Sequence, residues 1–287
     1  MRFVRRILRL AYILAAVALA LAGWAYWTAI ADPVVRRAEV ELAGWPAGQP
    51  AIRAVLISDL HVAGPDMPPS RLARIVARIN ALHPDLVLIA GDFVSDKRIA
   101  TLHYPLADAV APLAGLRARF GTLAVLGNHD HWRNAGEARA ALAAAHVTLL
   151  DNDAVAAGPL AIGGLDDAFT GREDLAATLA RMRRLPGARI LLSHSPDPFP
   201  GVPADVGLMV AGHTHCGQIR LPFVGAVSTM SDYGDRYACG LVRENGRILI
   251  VTAGLGTSVL PLRLGAVPDL WLVTIGPKPV AAPSSRR

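Results

Sequence analysis

Five short segments of the chain contain side chains of the kinds that bind metal ions. They supply Asp, Asn and His, and they are residues 59–61, 91–92, 127–130, 193–194 and 212–215. Carboxylate and amide oxygens combined with imidazole nitrogens suit Mn, Fe, Zn or Ni. We therefore predict a metal centre that holds two ions.

Several of these residues lie where a short apolar run ends. The runs are residues 55–58, 86–90, 123–126, 190–192 and 206–210. Short apolar runs interrupted by Gly or Asp are typical of buried strands. Because open α/β sheets place their sites at one end of the strands, we expect the metal-binding residues to converge at one edge of a sheet.

The spacing within two of the segments is regular. Asp59 and His61 are two positions apart, and so are His213 and His215. In an extended backbone, residues at this spacing point to the same side. A single pair of this kind is common by chance, but its occurrence in order with G-D, G-N-H-D and a lone His is a specific signal.

Composition describes a globular chain with an apolar N-terminal segment. The 287 residues suit one large domain or two small ones, and 53% hydrophobic against 18% charged residues excludes a disordered chain. Residues 10–31 contain no charged side chain, which is enough length to cross a bilayer. Trp24, Tyr26 and Trp27 lie at the far end of this segment, as is typical of a membrane–water interface.

Four arginines, at positions 2, 5, 6 and 9, precede the apolar segment and predict a cytoplasmic N-terminus with the rest of the chain exported. Without these four arginines the chain has 25 Lys and Arg against 23 Asp and Glu, which is a nearly neutral balance. The basic net charge therefore does not indicate a nucleic-acid surface. Two alternatives to an uncleaved anchor stay open. Residues 29–31 fit a signal-peptidase site, and the pair at 5–6 is compatible with a twin-arginine signal.

Strand and helix patterns alternate along the rest of the chain. An edge strand is predicted at 37–42, helices at 72–79, 135–145 and 173–184, and a late hairpin at 237–251 around an Asn-Gly turn. This order predicts mixed sheets with helices on their outer faces. The predicted organisation is a basic N-terminus (1–9), an anchor or signal segment (10–31), one folded domain (35–276) and a disordered tail (277–287).

The five blocks resemble the calcineurin-like metallophosphoesterase superfamily, whose pattern is D-x-H, G-D, G-N-H-[DE], H and G-H-x-H. The similarity covers roughly residues 52–275. The chain is most similar to the membrane-associated bacterial branch that includes the YkuE and YaeI phosphoesterases. That similarity rests on the hydrophobic N-terminus and on residues 212–218, 254–258, Pro261 and Arg263.

The resemblance implies an α/β fold, a four-layer αββα sandwich of two mixed sheets preceded by a transmembrane helix. It also implies two groups of metal ligands. One ion is held by Asp59, His61 and His215, the other by Asn128, His194 and His213, and Asp92 bridges both. By the same resemblance, His129 and Asp130 are the catalytic residues outside the ligand sets. His129 stabilises the phosphate or protonates the leaving oxygen, and Asp130 supports the loop or orients a neighbouring His.

The implied activity is hydrolysis of a phosphodiester or lipid-linked phosphate by a hydroxide generated between two divalent ions. The implied location is the bacterial inner membrane, with one span and the domain on the periplasmic side. The alternatives are a UDP-2,3-diacylglucosamine pyrophosphatase of lipid A synthesis, a nuclease, or a non-catalytic anchored scaffold. A protein Ser/Thr phosphatase is disfavoured. That branch has the pattern G-D-x-V-D-R-G at the second block, whereas this chain has Ser95 in place of the second Asp, followed by Asp96.

Residues outside the five blocks leave several alternatives open. Cys216 is either a small apolar filler or a thiolate ligand, and Arg263 contacts either a phosphate or the protein. Turns or packing compete with substrate contact at the following positions: His131, Trp132, Asp166 and Asp167. Surface or loop positions are predicted for the remaining histidines, His83, His103 and His146. The oligomeric state is not predicted.

Overall fold

The N-terminal helix projects away from the folded part of the protein. The computed structural model describes residues 2–95, 97 and 99–278. Helix α1 (Arg2–Ile30) is exposed along almost its whole length, and only Ala25 and Ala29 are buried. Its most apolar window has a mean hydropathy of 2.0, so it is long and apolar enough to cross a membrane.

The other helices and the strands follow in an alternating order. The helices are α2 (Pro69–Ala81), α3 (Leu106–Val110), α4 (Asn128–Ala144) and α5 (Leu175–Met182). The strands are β1 (Val34–Leu42), β2 (Ile52–Ile57), β3 (Leu86–Ala90), β4 (Thr122–Val125), β5 (Thr148–Leu149), β6 (Asp153–Ala157), β7 (Leu160–Gly164), β8 (Ala188–Leu192), β9 (Leu208–Ala211), β10 (Arg220–Leu221), β11 (Gly225–Ala226), β12 (Gly240–Glu244), β13 (Arg247–Val251) and β14 (Asp269–Pro277).

The strands form two six-stranded sheets and a small separate hairpin. The first sheet has the order β1-β14-β2-β3-β4-β5, the second has the order β12-β13-β9-β8-β7-β6, and β10 pairs with β11 alone. Neighbours are mostly parallel, but β14 is antiparallel to β2, and the pairs β12-β13 and β6-β7 are antiparallel. Both sheets are therefore mixed, and β1 is an edge strand, as predicted.

The sheets stack face to face with helices on both outer faces. Leu56 and Leu88 of the first sheet share one core with Ile190 and Val210 of the second. Helices α2 and α4 pack their apolar side chains on the outer face of the first sheet, and α5 packs on the second. The predicted four-layer sandwich is confirmed.

Some predicted boundaries differ from the structure. Helix α4 begins at Asn128, seven residues before the predicted start at 135, and non-helical backbone at Asn134 separates its first turns from the rest. Pro277 still belongs to β14, so the predicted tail starts too early, and its residues 279–287 lie outside the described chain. Asn245 and Gly246 both have positive φ, which is the backbone that the predicted hairpin turn requires.

Candidate metal centre

The metal-binding segments meet at the carboxyl ends of the parallel strands, but not through extended backbone. Asp59 and His61 follow β2 with φ of 49° and 44°, and His213 and His215 follow β9 with φ of 70° and 50°. The predicted extended geometry of the two pairs is therefore wrong. Left-handed backbone at Asp and His is tolerated but costly, and such strain is concentrated at functional sites.

The first group of donors consists of one carboxylate and two imidazoles. Nε2 of His61 lies 3.0 Å from Nε2 of His215. Oδ1 of Asp59 lies 3.4 Å from Nε2 of His215 and 3.9 Å from Nε2 of His61. All three side chains are buried, and their donor atoms enclose a space of the size that one cation occupies.

The second group consists of one amide and two imidazoles. Nε2 of His194 lies 3.0 Å from Oδ1 of Asn128 and 3.1 Å from Nδ1 of His213. The other nitrogen of each imidazole faces a main-chain carbonyl, Ala90 O at 2.7 Å for His194 and Met230 O at 3.0 Å for His213. Donation to a carbonyl leaves the inward nitrogen as a lone pair, which is the form that binds metal.

Asp92 lies between the two groups. Its Oδ2 is 3.5 Å from Nε2 of His61 in the first group and 3.2 Å from Nε2 of His194 in the second. A single carboxylate oxygen therefore borders both donor sets. This is the position required of a residue that bridges two ions.

The donor geometry fits divalent cations. Two ligands bound ~2.1 Å from one ion at tetrahedral or octahedral angles are themselves about 3.0–3.5 Å apart. Most of the separations within each group fall close to that range. Nitrogen and oxygen donors without sulfur are compatible with Mn, Fe, Zn and Ni alike.

Electrostatics leave several donors, though not all of them, in their metal-binding protonation states; burial raises the pKa of Asp59 to about 6. Burial lowers the pKa of His61 and His215 well below the usual range, and that of His213 to about 3, so all three are neutral. Burial alone would raise the pKa of Asp92, but the facing imidazoles, His194 foremost, hold it well below its usual range. Burial also opposes the protonation of His194, yet the attraction of Asp92 raises its pKa well above normal. A cation would replace that proton.

Glycines make room for two of the carboxylates. A side chain at Gly127 would occupy the position of the Asp92 carboxylate, and one at Gly212 would collide with Ser58 and the Asp59 carboxylate. The glycines of the G-N-H-D and G-H-x-H blocks are therefore required by close packing around the donors.

His129 and Asp130 occupy different places around the centre. One ring nitrogen of His129 lies within 4.8 Å of donor atoms of His61 and Asp92, and Nε2 lies 3.4 Å from Oγ of Ser258. The ring is half-buried, whereas the side chains of both donor groups are buried. It is therefore within reach of a phosphoryl group held at the donors.

Asp130 is fully buried and accepts hydrogen bonds from the main chain. Its carboxylate receives the N–H groups of Asp92, Phe93 and Val94 at 2.9–3.3 Å, and that of Gly127 at 3.0 Å. Burial, together with the neighbouring Asp92 charge, raises its pKa to about 7. Asp130 thus holds the loop that carries Asp92.

Arg263 contacts the protein and not a phosphate. It is fully buried, and its guanidinium donates to the carbonyl oxygens of Ala253, Gly254 and Gly256. The substrate-contact alternative for Arg263 is therefore wrong. Its role is to hold the loop that packs against Asp59.

Cys216 forms a disulfide with Cys239, so it is neither an apolar filler nor a thiolate ligand. The bond links the segment that carries His215 to the start of β12. Both alternatives were wrong because two cysteines 23 residues apart do not reveal their pairing in sequence.

We expect reduction of this disulfide to destabilise the protein by about 3 kcal/mol, because the bond restricts the unfolded chain over a loop of this length. Thermal unfolding of the protein with and without a reductant measures the effect. A variant with Cys216→Ala and Cys239→Ala is the control, since its unfolding temperature should not respond to the reductant. Two free thiols in protein isolated from the cell envelope would contradict the assignment.

The remaining polar candidates have structural partners. Nε2 of His131 pairs with Oδ1 of Asp166 at 2.6 Å, and Asp167 accepts the N–H groups of a turn that includes Thr170. Trp132 is 54% exposed. Its ring meets the His129 ring edge-on, with 4.9 Å between the ring centroids. The surface prediction is confirmed for His83, His103 and His146.

A buried ion pair beneath the site has no signal in the sequence. Nζ of Lys97 contacts Asp66 and donates to Thr257 at 3.2 Å, and Thr257 donates to Asp66 at 2.7 Å. This cluster joins three loops that border the metal centre. Isolated Lys, Asp and Thr residues far apart in the chain do not predict such a contact.

Asp96, which follows the second block and was compared with the protein-phosphatase pattern, lies outside the described residues.

Fold and donors together define a class of protein. A sandwich whose strand ends present two adjoining sets of Asp, Asn and His donors is the framework of a metal-dependent hydrolase. The family model for calcineurin-like phosphoesterases matches residues 52–217. The chain belongs to the calcineurin-like phosphoesterase family, and it is a phosphoric ester hydrolase.

Relatives and solved structures extend this comparison. The uncharacterized metallophosphoesterase YkuE of Bacillus subtilis is 34% identical over 240 residues, which are 80% of this chain and 81% of YkuE. A transmembrane protein with metallophosphoesterase domain from Danio rerio is 29% identical over 89% of this chain, which spans 60% of that protein. A 5'-nucleotidase precursor from Thermus thermophilus superposes with a TM-score of 0.46 at 16% identity, over 78% of this chain and 55% of that chain.

Proposed function

We propose that the protein is a membrane-anchored phosphoesterase with two divalent metal ions, acting on phosphodiesters or lipid-linked phosphates. The observation that carries this proposal is the position of Asp92 between two complete donor groups. One ion is assigned to the first group, the second ion to the other group, and Asp92 to both. The ions are drawn from Mn, Fe, Zn and Ni.

The chain's own residues orient the substrate and supply a proton. When bound, the ions supply positive charge for the phosphoryl oxygens and acidify the attacking water. His129, at the opening, stabilises the phosphate or protonates the leaving oxygen. Asp130 positions Asp92 through the main-chain hydrogen bonds of its loop. Hydrolysis then adds water across one P–O bond and releases an alcohol.

The proposed location is the outer side of the cytoplasmic membrane. The four arginines in the first turns of helix α1 precede its apolar part and favour a cytoplasmic N-terminus. The Cys216–Cys239 disulfide is a bond that persists in oxidising compartments. Both observations disfavour the lipid A pyrophosphatase alternative, whose substrate is cytoplasmic. The complete donor set disfavours a scaffold without activity.

A reporter fused to the C-terminus tests the orientation. We expect alkaline phosphatase activity from the fusion, because that enzyme folds only where disulfides form. A fluorescent cytoplasmic reporter at the same position is the matched control and should be dark. Fluorescence without phosphatase activity would favour the pyrophosphatase instead.

Removal of the metal should abolish activity. We expect chelation of the untagged, detergent-purified protein to lower hydrolysis of bis-p-nitrophenyl phosphate at least ~100-fold, because the ions supply several kcal/mol of charge stabilisation. Stepwise return of Mn should restore the rate as the metal content rises to two ions per chain. Activity that persists in metal-free protein, or a plateau at one ion, would contradict the proposal. A screen of monoesters, diesters, nucleotide pyrophosphates and phospholipids then identifies the substrate class.

A further inference from the structure

An exposed apolar surface lies beside the metal centre. Residues 221–230 and 257–262 contain no charged side chain, and we call these two segments the apolar rim. Phe223 is fully exposed, and Val224 and Val259 are exposed by 73% and 70%. Soluble surfaces rarely gather large apolar side chains in this way, so the rim indicates a binding surface.

Hydrogen bonds join the residues just before the first rim segment to the second segment and to the residues that follow it. The side chain of Gln218 donates to the carbonyl oxygen of Leu260 at 3.1 Å and accepts from the N–H of Ser258 at 2.9 Å. The N–H of Arg220 donates to Leu264 O at 2.8 Å. The β10–β11 hairpin and the loop at 257–262 therefore form one surface.

The rim lies at the end of helix α1 that carries the aromatic side chains. The N–H of Arg263 donates to Ala25 O at 2.9 Å. Ala25 is buried against the domain, whereas Trp24 and Trp27, on the same turn, are exposed by 67% and 71%. Exposed tryptophans at the end of a membrane span lie at the headgroup level. The loop that ends at Arg263 is therefore at the same depth.

The rim also borders the metal centre. The carbonyl oxygen of Met230 lies 3.0 Å from Nε2 of His213, and Oγ of Ser258 lies 3.4 Å from Nε2 of His129. Met230 is itself an exposed apolar residue of the rim, and the exposed Val259 directly follows Ser258. The opening of the site is thus flanked by the surface that lies at the membrane level.

We propose that the apolar rim inserts into the same bilayer that α1 spans, so that the metal centre takes phosphoesters at the surface of that membrane. The inference deepens the proposed function and rests on it for the chemistry. A bilayer fits better than a second protein because both segments lack charge and the segment at 257–262 adjoins the end of the membrane helix. Insertion to the depth of an interfacial anchor brings lipid headgroups to the site.

The position of the rim can be measured without activity. The full chain with Phe223→Cys is spin-labelled in phospholipid nanodiscs, and the exposure of the label to oxygen and to a water-soluble relaxing agent is compared. We expect high oxygen and low water-soluble exposure, as in the acyl region. The control is Asn245→Cys in the β12–β13 turn, at the opposite end of the second sheet, which should be exposed to water. Equal exposure of both labels to the water-soluble agent would overturn the proposal. So would a Phe223 label that is shielded only in protein oligomers free of detergent and not by the bilayer.

Activity supplies a second and separable readout. We expect Phe223→Asp to lower hydrolysis of phosphatidyl-p-nitrophenol in nanodiscs about tenfold, because an inserted aromatic side chain is replaced by a charge. Hydrolysis of soluble bis-p-nitrophenyl phosphate should stay unchanged, since Phe223 is not in contact with the donors. Asn245→Asp, which adds the same charge elsewhere, should affect neither substrate. An equal loss on both substrates, or none on the lipid, would overturn the inference. A protein inactive on every phosphoester would instead refute the proposed function, and the label measurement would still stand.

Discussion

Replacement of Asp92 by Asn should remove nearly all activity and at least part of the bound metal. The side chain keeps its size and can still accept the N–H of His129, which now donates to Oδ1 at 3.0 Å. What it loses is the negative charge between the two donor groups. Loss of even an outer partner of a metal ligand weakens metal binding by about 10–100-fold, so we expect a loss of at least ~100-fold for this shared ligand.

Metal content and activity should be measured on the same sample. Elemental analysis of Asp92→Asn is expected to give at most one ion per chain, with circular dichroism unchanged. Asp153→Asn is the matched control, because that carboxylate pairs with Arg181 on the exposed surface. An Asp92→Asn variant that keeps two ions and full activity would remove the basis of the dinuclear assignment.

Replacement of His129 by Ala should lower kcat by roughly 10²–10⁴ while leaving both ions bound. The reason is its position. Its ring is half-buried and has a nitrogen within 4.8 Å of donor atoms of His61 and Asp92, but the ligand sets proposed for the two ions do not include it. Retention of metal together with loss of turnover separates this role from that of a ligand.

The leaving group distinguishes the two roles proposed for His129. A general acid matters most when the departing alkoxide is strongly basic, and little when p-nitrophenolate departs. A larger loss with an alkyl ester than with a p-nitrophenyl ester therefore indicates proton donation, and an equal loss indicates phosphate stabilisation. His146→Ala, at an exposed position, is the control. Unchanged turnover in His129→Ala with both esters would exclude both roles.

The strand framework was predictable because its signals are local. Apolar runs bounded by Gly or Asp matched the carboxyl ends of β2, β3, β4, β8 and β9 to within one residue. The Asn-Gly turn predicted the β12–β13 hairpin, since few other pairs adopt positive φ at both positions. Helix α4 was predicted too short because its first turns carry Asn128 and His129, whose polar character hides them from an apolar pattern.

Contacts between distant segments were not predictable in the same way. The pairing of Cys216 with Cys239, the burial of Arg263 and the Lys97–Asp66 contact depend on loops that meet only after the sheets have packed. The directions of Asp59 and His61 were inferred from strand alternation and are set instead by left-handed backbone. Such backbone is held in place by surrounding structure and not by the residue's own preference.

Residue type and order along the chain were sufficient for the family, the sandwich, Asp and His groups that could hold a metal, and a helix apolar enough to span a membrane, because each depends on periodicity or on motifs a few residues long. Three-dimensional packing alone placed Asp92 between two donor groups and Asp130 beneath its loop. It also brought the uncharged segment 221–230, the metal centre and the aromatic end of α1 to one side of the molecule. Those arrangements join segments that lie far apart in the chain, and contacts of that kind have no local signature in a sequence.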